Sequence, residues 1–462
     1  MSIPAIVYYG LTLTFCAFLA LLKWNEIRYR RKGMPPGTMG WPIFGETAGF
    51  FKKGPNFMKN KRARYGKLFK IHALGSPIVV CMDPDVNRYI LLNEAKGLVP
   101  GYPVSMMDMI GSRNIFAVHG VDHKRIRGSL STALGPAAIR VHLLPIIDKY
   151  TKSFLDNWAG KIIDIQEKTK EMSFLVAMRL IAENESSSFH DAFKATFHDL
   201  TLGTMSLPIK IPGTSYYRGL KSRNKVIAIL KEVLAKRRAS STTHDDILDQ
   251  LLRNEACKLS DEEIIDQIIT ILVSGYETES TTSMMAVKYL HDHPRALQAI
   301  RDEHFAIQQS KKPDEQLSWD DCKNMTFTRA VIFEALRLAS VVSGSLRKAT
   351  TDVQLNGFTI PKGWRVCVYI REINYDPFIY EEPFTFNPWR WMDKDLESHK
   401  HNMMFGGGSR MCPGKDLGIV RISLFLHHFM TRYRWEEVEG NKLLKFPRVE
   451  APNGLNVRVE QY

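Results

Sequence analysis

The chain has 462 residues, 44% of them hydrophobic and 24% charged, with a formal net charge of +14. That is an ordinary globular composition with ample apolar material for a large core. The basic balance suits an anionic membrane surface or an acidic partner. No Lys/Arg block interleaved with aromatics is present, which argues against nucleic acid. Six scattered cysteines (Cys16, Cys81, Cys257, Cys322, Cys367 and Cys412) form no CxxC pair. Their spacing excludes a zinc ribbon or a disulfide scaffold and fits a reducing, cytosol-facing environment.

Taken in chain order, residues Ile3 to Leu22 carry no charge and are long enough to cross a hydrocarbon core as a helix. Lys23, Arg28, Arg30, Arg31 and Lys32 follow this run, whereas a cleaved signal peptide would place its cations first. The positive-inside rule then keeps the rest of the chain on the cytosolic side. An apolar surface helix is the alternative, since Pro4, Thr12 and Thr14 dilute the stretch. Pro35 and Pro36 stiffen a short link that ends at Trp41-Pro42. The expected organisation is an anchor over 1–22, a basic, proline-rich linker over 23–45, and one large domain over 46–462. That domain reads as mainly α with small β-sheets, the clearest strands being Ile78–Asp83 and Trp364–Ile370.

One long helix stands out. Ser260 and Glu263 have capping-box spacing, and the pattern runs on to Pro294, roughly 50 Å at 1.5 Å per residue. Its first half is apolar nearly all round, so it belongs in the core. Gly275, Glu277 and Thr278 interrupt it midway. A helical glycine costs about 1 kcal/mol against alanine, and a buried carboxylate costs more unless paired. Such a violation marks either a functional need or a kink with a satisfied internal acid.

Near the C-terminus, Phe405 to Gly418 reads FGGGSRMCPGKDLG. A phosphate loop of the Walker type fails because Asp416 follows Gly414-Lys415. A dinucleotide fingerprint fails because Met411 occupies its last glycine position. The remaining reading is a loop that presents one thiolate. Gly406, Gly407, Gly408 and Gly414 allow close approach of a large flat ligand. Free amides and the start of a helix at Leu417 are expected to lower the thiol pKa. With Arg410 as a nearby cation, such a site suits haem iron.

Phe405-x-x-Gly408-x-Arg410-x-Cys412-x-Gly414 matches the FxxGxRxCxG signature, and the chain thereby resembles the cytochrome P-450 superfamily. The resemblance implies the P450 fold, with a long central helix over haem b, and Cys412 as axial thiolate ligand of the iron. Glu334-x-x-Arg337 is similar to the family's ExxR pair, with Arg390 as its third member; alone, ExxR is an ordinary helix-surface ion pair. Ser274 to Thr278 (SGYET) resembles the oxygen-activating segment, in which Glu277 and Thr278 would deliver protons. Glu279 stands where the family usually has Thr or Ser, which leaves the details of that relay open. His123 and Arg127 resemble the helix that contacts haem propionates, with His123 replacing a tryptophan, and Arg347 matches a further propionate-binding cation. Gly101 to Val118 corresponds to a substrate loop, where Met106, Met109 and Phe116, with Ser274, would face substrate; ordinary loop packing is the alternative.

Several segments, among them PPGTMGWPIFGET and REINYDPFIYEEPFTFNPWRW, narrow the resemblance to the plant brassinosteroid-6-oxidase subfamily. That implies oxidation of 6-deoxo steroids such as 6-deoxocastasterone at C-6 in two rounds, with O₂ and NADPH-derived electrons. It further implies a NADPH-cytochrome P450 reductase as partner and a single-pass location in the endoplasmic reticulum membrane with the catalytic domain facing the cytosol. Related sterol and terpenoid hydroxylases share many of these segments, and some members continue by Baeyer–Villiger insertion to a lactone. A steroid carrier without turnover, or an isomerase without a reductase, would have no need of Glu277 and Thr278.

Overall fold

A computed structural model describes every residue except 1–11, 14, 18, 43, 95, 183–186, 313, 394 and 447. The chain divides into two compact units, Met1–Gly101 with Gly344–Ile373, and Tyr102–Ser343 with Asn374–Tyr462.

The first unit is built on a five-stranded sheet. Its strands are β1 (Leu68–Ala73), β2 (Ser76–Cys81), β3 (Leu98–Pro100), β4 (Gly344–Ala349) and β5 (Arg365–Tyr369), in the order β1-β2-β5-β4-β3. The β1–β2 hairpin turns at Leu74 and Gly75, both at positive φ. Phe69, Ile71, Ile78 and Val80 recur with the two-residue period of a strand and bury one face against Phe57 and Met58. The two strands legible in the sequence, β2 and β5, pair with each other in parallel, Ile78 opposite Arg365 and Cys81 opposite Val368.

The anchor expected over 1–22 falls largely outside the described residues. Within it, Leu13, Phe15, Leu19 and Leu21 are exposed. Among the described residues, one helical stretch, Gly120–Phe154, is long and apolar enough to cross a membrane. Half of its most apolar window is buried inside the protein, as befits a core element.

The second unit is helical. Its central helix, Asp261–Asp292, is 32 residues long and opens on the expected capping box: Ser260 Oγ accepts from Glu263 N, and Glu263 Oε2 accepts from Ser260 N. Pro294 begins the next helix, Pro294–Gln309. The central helix is continuous through Gly275. What changes midway is burial. Residues 263–270 and 279–287 are buried, whereas Ile271 and all of 273–278 are partly accessible. The central helix packs against Ile165–Ile181, Thr326–Ala339 and Lys415–Arg432. A small sheet of Lys161–Asp164, Asn456–Gln461 and Tyr433–Glu437 closes the unit.

Candidate functional site

The glycine loop folds back on itself through Cys412 N donating to Phe405 O at 2.8 Å and Gly406 N to Met403 O at 2.8 Å. Gly406 (φ 78°) and Gly408 (φ 62°) occupy the left-handed region, where a side chain would be strained. Gly407 is extended and Gly414 has φ −96°, so conformation does not require glycine there. Cys412 is partly buried just ahead of the helix Lys415–Arg432. Burial pushes its thiol up, which outweighs the opposing pull of the Gly414 amide and the Arg127 and Lys415 cations. The lowered thiol expected from the sequence is therefore reversed for the free side chain: desolvation exceeds what one amide and two cations return. Cys81, Cys322 and Cys367 are driven to about 12 chiefly by burial and stay inert thiols.

Two predicted cations converge on this loop. Arg127, from the helix Gly120–Leu134, donates to the Met411 carbonyl. Arg410 donates to the carbonyls of Ile115 and Val118, the latter at 2.6 Å. Burial lowers the pKa of Arg127, and no carboxylate pairs with it among the described residues. A half-buried guanidinium beside a thiol and without a counter-ion fits an anionic ligand edge. His123 is buried on the same helix as Arg127. Arg347 lies in the first unit, on β4. It is 2% exposed, its Nε has no hydrogen-bond partner, and it too has no carboxylate partner among the described residues. Phe405 packs edge-on against Phe333 at 5.8 Å.

The accessible middle of the central helix carries the other predicted group. Thr278 Oγ1 donates to Ser274 O at 2.7 Å. Successive residues of an α-helix point about 100° apart, and Glu277, the residue before Thr278, accordingly faces Lys170 (3.9 Å) and Arg448 (3.6 Å). An added Cβ at Gly275 would meet only Arg421 Nη1, at an ordinary 3.7 Å. Packing within the protein therefore does not demand glycine there.

Glu334, Arg337 and Arg390 form one buried network. Arg337 donates to both Glu334 oxygens (2.9 and 2.8 Å) and to the carbonyls of Asn374, Pro383 and Thr385. Arg390 Nε adds a 3.2 Å bond to Glu334 Oε1. Trp391 Nε1, which sequence reasoning missed, donates to Glu334 Oε2 at 2.8 Å. The ExxR pair is thus an internal strut that fixes the segment before the cysteine loop.

Of the substrate-facing candidates, Met106 and Phe116 are partly buried against the main core. Met109 is 0% exposed, and its sulfur fills the gap left by Gly203 and Gly219. It belongs to helix packing, because two glycines leave a hole that methionine occupies. Its segment is a short helix, Val104–Ile110, followed by a tethered loop rather than a loop throughout. Asp266 and Gln267 on the central helix hold that loop: Arg113 N donates to Asp266 Oδ2, Ile115 N to Gln267 Oε1, and Gln267 Nε2 to Arg113 O. Gly111, at φ 97°, approaches Asp266 so closely that a Cβ would clash at 2.0 Å. The signal for these ties was two polar residues in the apolar half of the helix.

Comparison with known proteins defines the class. The cytochrome P450 family model matches residues 35–453, and the chain belongs to that family of haem-thiolate monooxygenases. It is 60% identical over 454 residues to a cytochrome P450 85A of Phaseolus vulgaris, covering 98% of this chain and 97% of the relative. It is 55% identical to cytochrome P450 85A1 of Arabidopsis thaliana, with 96% of each chain covered. A 3beta,22alpha-dihydroxysteroid 3-dehydrogenase of Arabidopsis thaliana is 35% identical, again over 96% of each chain. Among solved structures, the retinoic acid-bound cyanobacterial CYP120A1 superposes with a TM-score of 0.83 at 26% identity, covering 93% of this chain and 99% of that one. The family's haem, O₂ and reductase-supplied electrons come with this membership.

Proposed function

We propose that the chain oxidises C-6 of 6-deoxo steroids of the brassinosteroid class to the 6-ketone, working at a membrane on the cytosolic side. The observation that carries the chemistry is Cys412, presented by a glycine loop beside Arg127, which has no carboxylate partner among the described residues. The P450 85A relatives support the choice of reaction. The relative named for a dihydroxysteroid supports a steroid substrate.

Haem held by a thiolate supplies reductive cleavage of O₂ and insertion of oxygen into a C–H bond. In this reading Cys412 would hold the iron and Arg127 and Arg410 the carboxylate edge, with His123 on the same helix as Arg127. Thr278 has committed its proton to Ser274 O, so its oxygen remains an acceptor that can orient a water or a proton donor. Glu277 is partly exposed between two cations and can exchange protons with solvent, passing them along the accessible face of the central helix. Met106 and Phe116 offer apolar contact to a steroid. Each round consumes one O₂, one electron pair and two protons, converts a C-6–H bond to C-6–OH and releases the second oxygen atom as water. A second round at the same carbon gives a gem-diol, which loses water to form the ketone.

The test is to supply membranes containing this protein, a reductase and NADPH with a 6-deoxo brassinosteroid. Mass spectrometry is expected to find the 6-hydroxy compound followed by the 6-oxo compound; no oxidised steroid would sink the proposal. Membrane attachment is tested separately. Deleting residues 1–32 is expected to move the protein into the soluble fraction. Retention would instead assign attachment to another apolar surface, such as the exposed Met205, Leu207, Ile209 and Ile211.

A further inference from the structure

One buried ion pair takes no part in the chemistry above. Glu279, 4% exposed, directly follows Thr278 on the central helix; Arg421, 5% exposed, lies on the helix Lys415–Arg432 that follows Cys412. Glu279 Oε2 and Arg421 Nη1 are 2.7 Å apart. The other guanidinium nitrogen, Nη2, donates to the Ser173 carbonyl at 2.7 Å, on the helix Ile165–Ile181. The same guanidinium lies against Gly275, one turn before Glu279. Three helices therefore meet at one cation, next to the residues that carry the oxygen-activating segment.

An ion pair is an expensive way to fill this space. Two charges leave water, and an apolar pair of similar volume often packs as stably. The expense is visible at Glu279, whose carboxyl burial raises to about 7 even with Arg421 in contact. Arg421 Nε is also left without an acceptor. What a forked guanidinium provides and apolar contact does not is direction, since it fixes the separation and rotation of the helices it bridges. Apolar side chains allow those helices to slide.

We infer that Glu279 and Arg421 are a positioning pair that holds the Thr278 segment in register with the helix carrying the Cys412 loop. The inference rests on the oxygen-activating role given to Thr278. The pair's two side chains are engaged with each other and with Ser173 O, and it acts through the backbone on either side. It also accounts for an acid where relatives of this architecture usually carry Thr or Ser: the side chain points into the helix junction rather than into the relay.

The test uses the full-length, haem-loaded protein with Glu279→Met and Arg421→Met combined, which removes both charges together. The double variant is expected to keep the reduced carbonyl band of a thiolate-bound haem, showing an intact fold. Its C–O stretch, measured without substrate, is expected to shift and broaden. With a 6-deoxo steroid, the share of NADPH electrons lost as hydrogen peroxide is expected to rise about tenfold, as small misplacements of reacting groups do. A wild-type C–O stretch together with wild-type coupling would overturn the inference. If the double variant does not fold, Arg421→Lys decides, because one ammonium cannot span both Glu279 and the Ser173 carbonyl; an unchanged C–O stretch there would equally overturn it. Should the wild type give no steroid product, the substrate proposal fails, while the substrate-free C–O comparison still decides on the pair.

Discussion

Replacing Cys412 with alanine is expected to abolish the reduced carbonyl band and all NADPH-dependent steroid oxidation while leaving the fold in place. The Cys412 sulfur is the one thiol in its loop, and Cys412 N still donates to Phe405 O in the variant because that bond is main-chain. The Gly406 and Gly408 conformations do not depend on the side chain either. Helical content and unfolding should therefore stay close to those of the wild-type protein prepared without haem. Cys412→His sharpens the test, since an imidazole can still ligate iron but gives a carbonyl band of a different kind. A thiolate-type band in either variant would show that another group holds the iron. None of Cys81, Cys322 and Cys367 is a ready substitute, each being a thiol that burial drives to about 12.

The second large effect belongs to Arg337. Its side chain is 0% exposed and serves Glu334 and three carbonyls at once. Alanine there leaves the Glu334 carboxylate in the interior with only Arg390 as counter-ion. Breaking one side of a buried pair costs about 3–5 kcal/mol, a large part of the roughly 5–15 kcal/mol that holds a typical domain together. Arg337→Ala is expected to give little or no haem-loaded protein and a loss of unfolding free energy of that size in denaturant titration. Arg337→Lys should fail nearly as badly, because a single ammonium cannot reproduce the planar fork. A loss under about 1 kcal/mol, within the range of exposed pairs, would mean that the network is not the strut described.

How much of this was legible in the sequence depended on distance along the chain. The cysteine loop and the ExxR pair are local patterns whose residue types state their own chemistry, and both were visible as motifs. The central helix was legible end to end because Ser260, Glu263 and Pro294 mark its limits. A kink at Gly275 was a fair alternative from propensity; the helix runs unbroken through the glycine, and the residues around it are partly accessible. The family reading held over nearly the whole chain. By contrast, the pairing of Glu279 with Arg421 could not be read, since an arginine in an amphipathic helix looks like any surface cation. Met109 looked like a ligand contact because methionine suits both a pocket and a gap, and only the two facing glycines decide between them. The direction of the Cys412 shift was missed for a related reason. Amides and cations can be counted in a sequence, but the desolvation that outweighs them belongs to the packed structure.

The ties around the loop from Gly111 to Val118 share a property with consequences for divergence. Arg410 reaches Ile115 and Val118 through their carbonyls, and Asp266 and Gln267 reach Arg113 and Ile115 through main-chain atoms. Gly111 is fixed by the close approach of Asp266, and Asn114 by its side-chain bonds to Gly111 O and to the Phe116 and Ala117 amides, whereas Phe116 enters these bonds only through its main chain. Mutation can therefore rewrite side chains such as Phe116 without loosening the scaffold around the cysteine loop. Within such a lineage, new substrates can be tried one residue at a time while the oxidising machinery is inherited unchanged.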